Sequence, residues 1–142
     1  NQNKNLLEPF TVTDKNMTRF NITLSDAADF VNACILKMRG SEIFIPKLYS
    51  YKILDLVKAI NPKKKIKYTG VRPGEKIHEE LISAGMSEER LENKNSFVIN
   101  CNKKTINKKI KTYNSYNSHQ NPKFLSIKQI KDAIKNNLGD FD

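Results

Sequence analysis

Apolar residues recur along the chain at two spacings, and the spacing separates predicted helices from predicted strands. Apolar positions three to four residues apart predict helices over residues 25–38, 51–60 and 126–134. Short apolar or β-branched runs between turn residues predict strands at residues 9–13, 42–46, 66–69 and 96–100. The segment 14–20 is expected to be a loop. Because helices alternate with short strands, the pattern indicates an α/β chain.

The predicted helix ends carry capping signals. Ser25 is the expected N-cap of the first helix and Ser50 that of the second. Ser126 and Gln129 match the Ser-x-x-Gln capping box at the start of the last helix. A further helix is expected from Pro73 or Gly74 to Leu81 or Ile82. The first helix should bury an apolar stripe, made of Ala27, Phe30, Val31, Cys34, Ile35 and Met38.

The positive charge of the chain raises the question of a nucleic-acid partner. The 142 residues fit one domain and carry a net charge of +10, which phosphate backbones attract. Only four of the 25 cationic residues are arginine, and 17 residues are asparagine. That mixture is typical of AT-rich coding bias on solvated surfaces. The composition therefore argues against a nucleic-acid partner. A basic binding module built on "KKKIK" and "NKKTINKKIK" stays an alternative.

Several features bear on location and processing. No apolar run approaches the roughly 20 residues that a membrane-spanning helix needs, and no signal peptide is recognisable. Cys34 and Cys101 form neither a disulfide framework nor a metal-binding spacing. These patterns predict a cytoplasmic protein with no membrane partner and no metal. Asn1 in place of a start methionine suggests a processed chain or part of a longer one.

Common catalytic and cofactor motifs are missing from the sequence. It contains no Gly-x-Gly-x-x-Gly, no P-loop and no Tyr-x-x-x-Lys pair. His78 and His119 have no cysteine or carboxylate at metal-ligand spacing, and His78 is expected on the surface of a charged helix. The chain alone therefore predicts no catalytic residue and no cofactor-binding residue.

Two of the arginines lie in predicted loops next to strands. Arg19 and Arg72 each offer a planar fork of donors that suits a phosphate or diphosphate. Pro73 and Gly74 would turn the chain into a helix whose first N–H groups favour anions. Glu75 would then be placed to accept hydrogen bonds from sugar hydroxyls.

A simpler interpretation of this segment is equally compatible with its spacing. Arg72 would pair with Glu75 or Glu79, and Pro-Gly-Glu would be an ordinary helix start. Spacing alone leaves both interpretations open.

Three segments together carry a family resemblance. "TVTDKNMTRFNITLSDAADFV", "EIFIPK" and "GVRPGEKIHEELIS" closely resemble the C-terminal half of the UDP-N-acetylglucosamine 4,6-dehydratases, with the inverting type nearest. These are extended short-chain dehydrogenase/reductase proteins of polysaccharide biosynthesis. The tail "YNSHQNPKFLS" resembles the Tyr-x-Ser-x-x-Asn-x-x-aromatic-Leu segment of the same family. The resemblance runs from about Pro9 to the last helix.

The resemblance implies a division of the chain into three parts. Residues 1–8 would be a ragged edge of a missing N-terminal half, residues 9–100 the nucleotide-sugar-binding region, and residues 101–142 a polysaccharide-biosynthesis tail with a terminal helix. The fold class is then the C-terminal substrate-binding part of an extended, Rossmann-like dehydrogenase/reductase. The Rossmann half, with the NADP site and the catalytic residues, would be absent. The complete enzyme would be a homo-oligomer that removes water from UDP-N-acetylglucosamine on the route to pseudaminic acid.

The resemblance also implies roles for individual residues. The arginines matching Arg19 and Arg72 hold the UDP diphosphate in related proteins, and the acidic residue matching Glu75 binds the ribose. The strand of Thr11, Val12 and Thr13 would lie along the uracil. Asn121 falls in a tail segment expected to close over the substrate.

Two points limit how far the resemblance specifies the enzyme. Asn21 stands where many relatives have an aromatic residue after the phenylalanine, which leaves the local packing open. A UDP-sugar epimerase of the same superfamily is the nearest alternative, because the two differ in the N-terminal half. A third alternative is that this chain folds only together with the N-terminal half.

Overall fold

The computed structural model describes residues 8–100 and 114–138 of the chain. In these ranges the strands are β1 (Phe10–Val12), β2 (Thr18–Asn21), β3 (Glu42–Pro46), β4 (Tyr49–Lys52), β5 (Ile66–Tyr68), β6 (Glu80–Ile82), β7 (Arg90–Glu92), β8 (Ser96–Asn100) and β9 (Tyr116–Asn117). The α-helices are α1 (Leu24–Ile35), α2 (Ile53–Ile60) and α3 (Ile127–Leu138). A 3₁₀ helix spans Ala84–Glu89.

The described strands pair in four small sheets. β1 runs parallel to β5, with Val12 opposite Tyr68. β2 is antiparallel to β4, β6 is antiparallel to β9, and β8 lies between β3 and β7. Because two-stranded sheets are marginal by themselves, side-chain packing between the sheets has to supply much of the stability.

One apolar cluster joins three of these sheets. Its buried members are Ile45, Ile82, Phe97, Ile99 and Tyr116, and Phe20 packs against them. The ring of Tyr116 lies 4.9 Å from that of Phe97 and 5.0 Å from that of Phe20, centroid to centroid. Tyr116 comes from the predicted tail, so this part of the tail shares its core with strands that lie before residue 101.

All four predicted strands and the last helix are confirmed. β1, β3, β5 and β8 fall within the predicted segments. The capping box is also present: the backbone N–H of Ser126 donates to Oε1 of Gln129, and that of Gln129 donates to Oγ of Ser126. These elements depend on residues close together in the sequence, which is why local patterns identify them.

The helix predicted over residues 73–82 is wrong. The chain makes turns there, with Gly74 at φ +80°, and then forms β6. In β6, Glu80 pairs with Asn117 and Ile82 with Tyr116. Pairing with a distant strand and burial of Ile82 therefore outweigh the helical preference of the charged residues.

The predicted starts of two helices and one loop also need correction. The N-cap of α1 is Thr23, whose side chain accepts a hydrogen bond from the N–H of Asp26, and not Ser25. Ser50 is fully buried in β4 and does not cap α2, which begins at Ile53. The expected loop over residues 14–20 ends early, because β2 begins at Thr18.

The apolar stripe of α1 is not buried as predicted. No residue of this helix is buried, and Val31 and Ile35 remain 54% and 58% exposed. The stripe has helical spacing, but none of its members reaches full burial in the part of the chain that the structure describes. Within that part, no helix is both long and apolar enough to cross a bilayer.

Candidate functional site

The candidate site begins where two parallel strands end. β1 ends at Val12 and β5 at Tyr68, and the N–H of Thr69 continues the pairing by donating to the carbonyl oxygen of Val12 at 3.0 Å. Parallel strands place their carboxyl ends side by side. The segments that follow, which begin at Thr13 and Gly70, are therefore neighbours.

The segment after β5 folds back into a tight turn around Glu75. Gly70 and Gly74 have φ values of +82° and +80°, which other residues adopt only with strain. The N–H of Glu75 donates to the carbonyl oxygen of Arg72 at 3.0 Å, and the N–H of Arg72 donates to Oε2 of Glu75 at 3.2 Å. The Thr13 hydroxyl lies 3.3 Å from Oε1 of Glu75. Thr13, Arg72 and Glu75 are thus brought together.

The Arg72 side chain is exposed, and in the described ranges its guanidinium makes no hydrogen bond or ion pair. Glu75 contacts the backbone of Arg72 and not its guanidinium. The simpler interpretation, in which Arg72 pairs with Glu75 or Glu79, is therefore not realised here. The five donors of the Arg72 fork face solvent.

Arg19, in β2, is held in one orientation. Its Nη1 donates to the carbonyl oxygens of Thr18 at 2.8 Å and Ile77 at 3.0 Å. Its Nε lies 3.8 Å from Oε1 of Glu79. The side chains of Arg19 and Glu79 are 21% and 44% exposed, so solvent screens this ion pair. The hydrogen bonds to the two carbonyl oxygens therefore set the orientation of the Arg19 guanidinium more than the ion pair with Glu79 does.

Met17 connects Arg19 to the turn around Glu75. Its sulfur lies 2.8 Å from the Thr13 hydroxyl and 3.9 Å from Nη2 of Arg19. Thr13 therefore contacts Glu75 directly and is linked to Arg19 through the Met17 sulfur. In β1, the side chain of Thr11 is exposed and that of Val12 is buried, so only one of these two offers its side chain to a ligand.

Asn121 lies in a different environment from the other predicted site residues. Its amide nitrogen donates to the carbonyl oxygens of Leu48 and Lys123 and to Oγ of Ser50, at 2.9 to 3.2 Å. The residue is buried. Within the described residues, no hydrogen bond joins it to Thr13, Arg19, Arg72 or Glu75. These bonds fix the tail against β4, and the predicted role at the substrate stays a prediction.

Replacing Asn121 with alanine should lower the free energy of unfolding by about 1–3 kcal/mol, because buried acceptors lose their donor. Denaturant unfolding of the complete protein would measure this. Asn93→Ala is the matched control, since Asn93 is exposed. A variant of unchanged stability with a raised KM for the sugar nucleotide would instead support a substrate role for Asn121.

Sequence reasoning missed a polar cluster beside Arg19. Thr18 and Ser118 are buried, and their hydroxyl oxygens lie 2.7 Å apart. The Thr18 hydroxyl also lies 2.8 Å from Nδ1 of His78. His78, expected on an exposed helix, is partly buried in a turn, and its ring stacks on that of His119 at 4.3 Å. The Tyr-x-Ser-x-x-Asn segment of the tail contains Ser118 and is the sequence signal that could have identified it.

The surroundings of His78 favour its neutral form. Burial lowers the pKa of His78 most. The nearby His119 ring and Arg19 guanidinium lower this pKa further, whereas Asp14 raises it. A ring nitrogen of neutral His78 is then available to accept a hydrogen bond from the Thr18 hydroxyl.

Two cavities in the described part of the chain lie away from the candidate residues. A cavity of about 390 Å³ lies between the start of α1 and α3, and another of about 320 Å³ lies beside Phe97 and Tyr116. Neither is lined by Thr13, Arg19, Arg72 or Glu75.

Comparisons with known proteins identify the family of this chain. A family model described as polysaccharide biosynthesis protein matches residues 1–101. A UDP-N-acetylglucosamine 4,6-dehydratase (inverting) from Campylobacter jejuni is 37% identical over 90% of this chain and 42% of its own length. A UDP-glucose 4-epimerase from Rickettsia bellii is 32% identical over 95% of this chain and 42% of its own length.

A solved structure confirms the fold class. The X-ray structure of Pen from Bacillus thuringiensis matches with a TM-score of 0.70 and 28% identity, over 89% of this chain and 39% of that one. The α/β assignment and the resemblance to the dehydratases are thereby confirmed. The chain spans about two fifths of the length of the curated relatives it matches. Since the family model covers residues 1–101, the chain belongs to the polysaccharide biosynthesis protein family.

Proposed function

We propose that this chain is the substrate-binding part of an NADP-dependent UDP-N-acetylglucosamine 4,6-dehydratase. The observation that carries the proposal is the exposed guanidinium of Arg72 beside the turn that joins Glu75 to Thr13. An arginine fork with unused donors suits a diphosphate, which offers several anionic oxygens. The Campylobacter relative, 37% identical, carries the same activity in its name.

The contacts suggest how a UDP group would lie on this surface. Arg72 and the oriented Arg19 would bind the diphosphate, with Arg19 held through its backbone acceptors. Glu75 retains lone pairs on both carboxylate oxygens and would accept bonds from the ribose hydroxyls. Thr11, Val12 and Thr13 would lie along the uracil, with the exposed Thr11 and the Thr13 hydroxyl as side-chain contacts.

The chemistry would belong to a separate N-terminal half. The glycines of this chain are not grouped in a dinucleotide-binding turn, so we assign no NADP contact to its residues. Bound NADP would supply reversible hydride chemistry in that half. The present residues would hold the UDP group and so position the sugar for reaction.

The surface of α1 supports the presence of such a half. Leu24, Val31 and Ile35 are more than half exposed on a helix with a regular apolar stripe. Apolar surface of this kind usually marks an interaction site. The N-terminal half would cover this stripe and enclose the bound sugar nucleotide. As further parts of the proposal, the complete enzyme would be a cytoplasmic homo-oligomer that contributes to surface glycan or pseudaminic acid synthesis.

A UDP-sugar epimerase is the second candidate. It is favoured by the 32% identity to the Rickettsia UDP-glucose 4-epimerase over 95% of this chain. The UDP-binding surface would serve both enzymes, because both hold the same nucleotide and differ in what happens at the sugar.

The complete enzyme, incubated with UDP-N-acetylglucosamine and NADP, should form a product that has lost one water. Mass spectrometry of the nucleotide sugar measures this directly, with UDP-glucose as the parallel substrate. A product of unchanged mass with inverted stereochemistry at one carbon would favour the epimerase. Absence of any UDP-sugar binding, together with salt-sensitive RNA binding, would contradict both candidates.

A further inference from the structure

A buried pair of hydroxyl groups next to Arg19 connects three segments that are distant in the sequence, around residues 18, 78 and 118. Thr18 and Ser118 are 2% and 0% exposed, and their hydroxyl oxygens lie 2.7 Å apart although 100 residues separate them. The Ser118 hydroxyl can also donate to the carbonyl oxygen of Thr18 at 3.2 Å, and it accepts from the N–H of Glu79 at 2.9 Å. His78 adds a third polar group, 2.8 Å from the Thr18 hydroxyl.

The same segments contain the acceptors that orient Arg19. The guanidinium donates to the carbonyl oxygens of Thr18 and Ile77, and it lies 3.8 Å from the Glu79 carboxylate. Ile77 is fixed because its carbonyl oxygen accepts the N–H of Thr18 at 3.1 Å. Glu79 is fixed because its carbonyl oxygen accepts the N–H of Ser118 at 2.8 Å. These two are backbone bonds. The hydroxyl pair adds to them through Ser118, whose hydroxyl accepts the N–H of Glu79 and can donate to the Thr18 carbonyl oxygen that Arg19 also contacts.

Removing one of these hydroxyl groups should disturb the backbone around it. A buried hydroxyl whose partner is removed loses its bond without gaining one to water. Its neighbours can recover a partner only by moving the backbone. Here the backbone that would move is the Thr18 carbonyl and the segment 77–79, to which Arg19 is bound.

We propose that Thr18 and Ser118, supported by His78, are positioning residues that aim the Arg19 guanidinium at the substrate diphosphate. Through Ser118 the tail segment takes part in substrate binding without touching the ligand. This inference rests on the proposed function, because it takes the diphosphate as the ligand of Arg19.

The test uses near-isosteric changes at Thr18 in the complete enzyme, with UDP as the probe. Thr18→Val removes the hydroxyl and should raise the Kd for UDP about tenfold, the effect of losing one well-directed charged contact. Thr18→Ser keeps the hydroxyl and should stay within about twofold of the parent. Isothermal titration calorimetry measures both, with thermal unfolding as a check on folding.

A double-mutant cycle separates positioning from general stability. In an Arg19→Ala background, Thr18→Val should change the Kd for UDP less than twofold, because the group it positions is gone. Equal weakening in both backgrounds would overturn the proposal. The same cycle with Ser118→Ala tests the other hydroxyl of the pair. It decides the proposal if the Thr18→Val variant does not fold.

The same cycle keeps this inference distinct from the proposed function. If Arg19→Ala leaves UDP binding unchanged, the diphosphate role of Arg19 fails. If Arg19→Ala weakens UDP binding while Thr18→Val and Ser118→Ala do not, only the positioning role fails.

Discussion

Replacing Arg72 with alanine in the complete enzyme should raise the KM for UDP-N-acetylglucosamine by roughly 30- to 140-fold. The physical reason is the loss of a charge-assisted contact, worth about 2–3 kcal/mol. Arg72 makes no hydrogen bond or ion pair through its side chain within residues 8–100 and 114–138. Its removal should therefore leave the fold intact, and thermal unfolding should be unchanged. Steady-state kinetics and UDP titration would measure the effect.

Two further variants sharpen this result. Arg39→Ala removes the same charge from an exposed position after α1 and should leave KM unchanged. Arg72→Lys keeps the charge but lacks the planar fork, so it should recover only part of the affinity. If Arg72→Ala had the same KM and kcat as the parent, Arg72 would not be a diphosphate ligand.

Replacing Ile82 with alanine should lower the free energy of unfolding by about 2–5 kcal/mol. Ile82 is completely buried in the cluster that includes Phe97 and Tyr116. Truncation leaves a cavity where β6 meets the tail strand β9. Close-packed neighbours can fill such a space only in part. Chemical denaturation of the complete protein, followed by a probe of tertiary structure, would measure the loss.

Leu81→Ala is the matched control for Ile82→Ala. Leu81 is the preceding residue of β6 and is 43% exposed, whereas Ile82 is completely buried. Its truncation should cost much less. Equal effects at the two positions would argue against β6 as a strand and in favour of the helix that local sequence suggested.

The elements that the sequence could predict are those defined by neighbouring residues. β3 and β8 are apolar runs between turn residues, and each forms a strand over its predicted span. The box of Ser126 and Gln129 is likewise complete within four residues. Parallel pairing of β1 with β5 then brings Thr13 and Glu75 together, although their spacing alone left their roles open.

The segment after Gly74 shows why local patterns were insufficient elsewhere. Its charged residues favour a helix, yet β6 forms because Ile82 is buried and Glu80 pairs with Asn117. His78 changes with it, from an expected surface residue to a hydrogen-bond partner of Thr18. Both outcomes depend on residues dozens of positions away, which no short window contains.

By itself, the sequence determined the α/β class, the strands of continuous apolar runs, the last helix and the two candidate arginines. Only the tertiary structure decided that Arg72 stays exposed and that Arg19 is oriented by buried neighbours. It also decided that Asn121 fixes the tail. The reason is physical: propensity and capping act over a few residues, whereas burial and hydrogen-bond satisfaction depend on which distant segments meet.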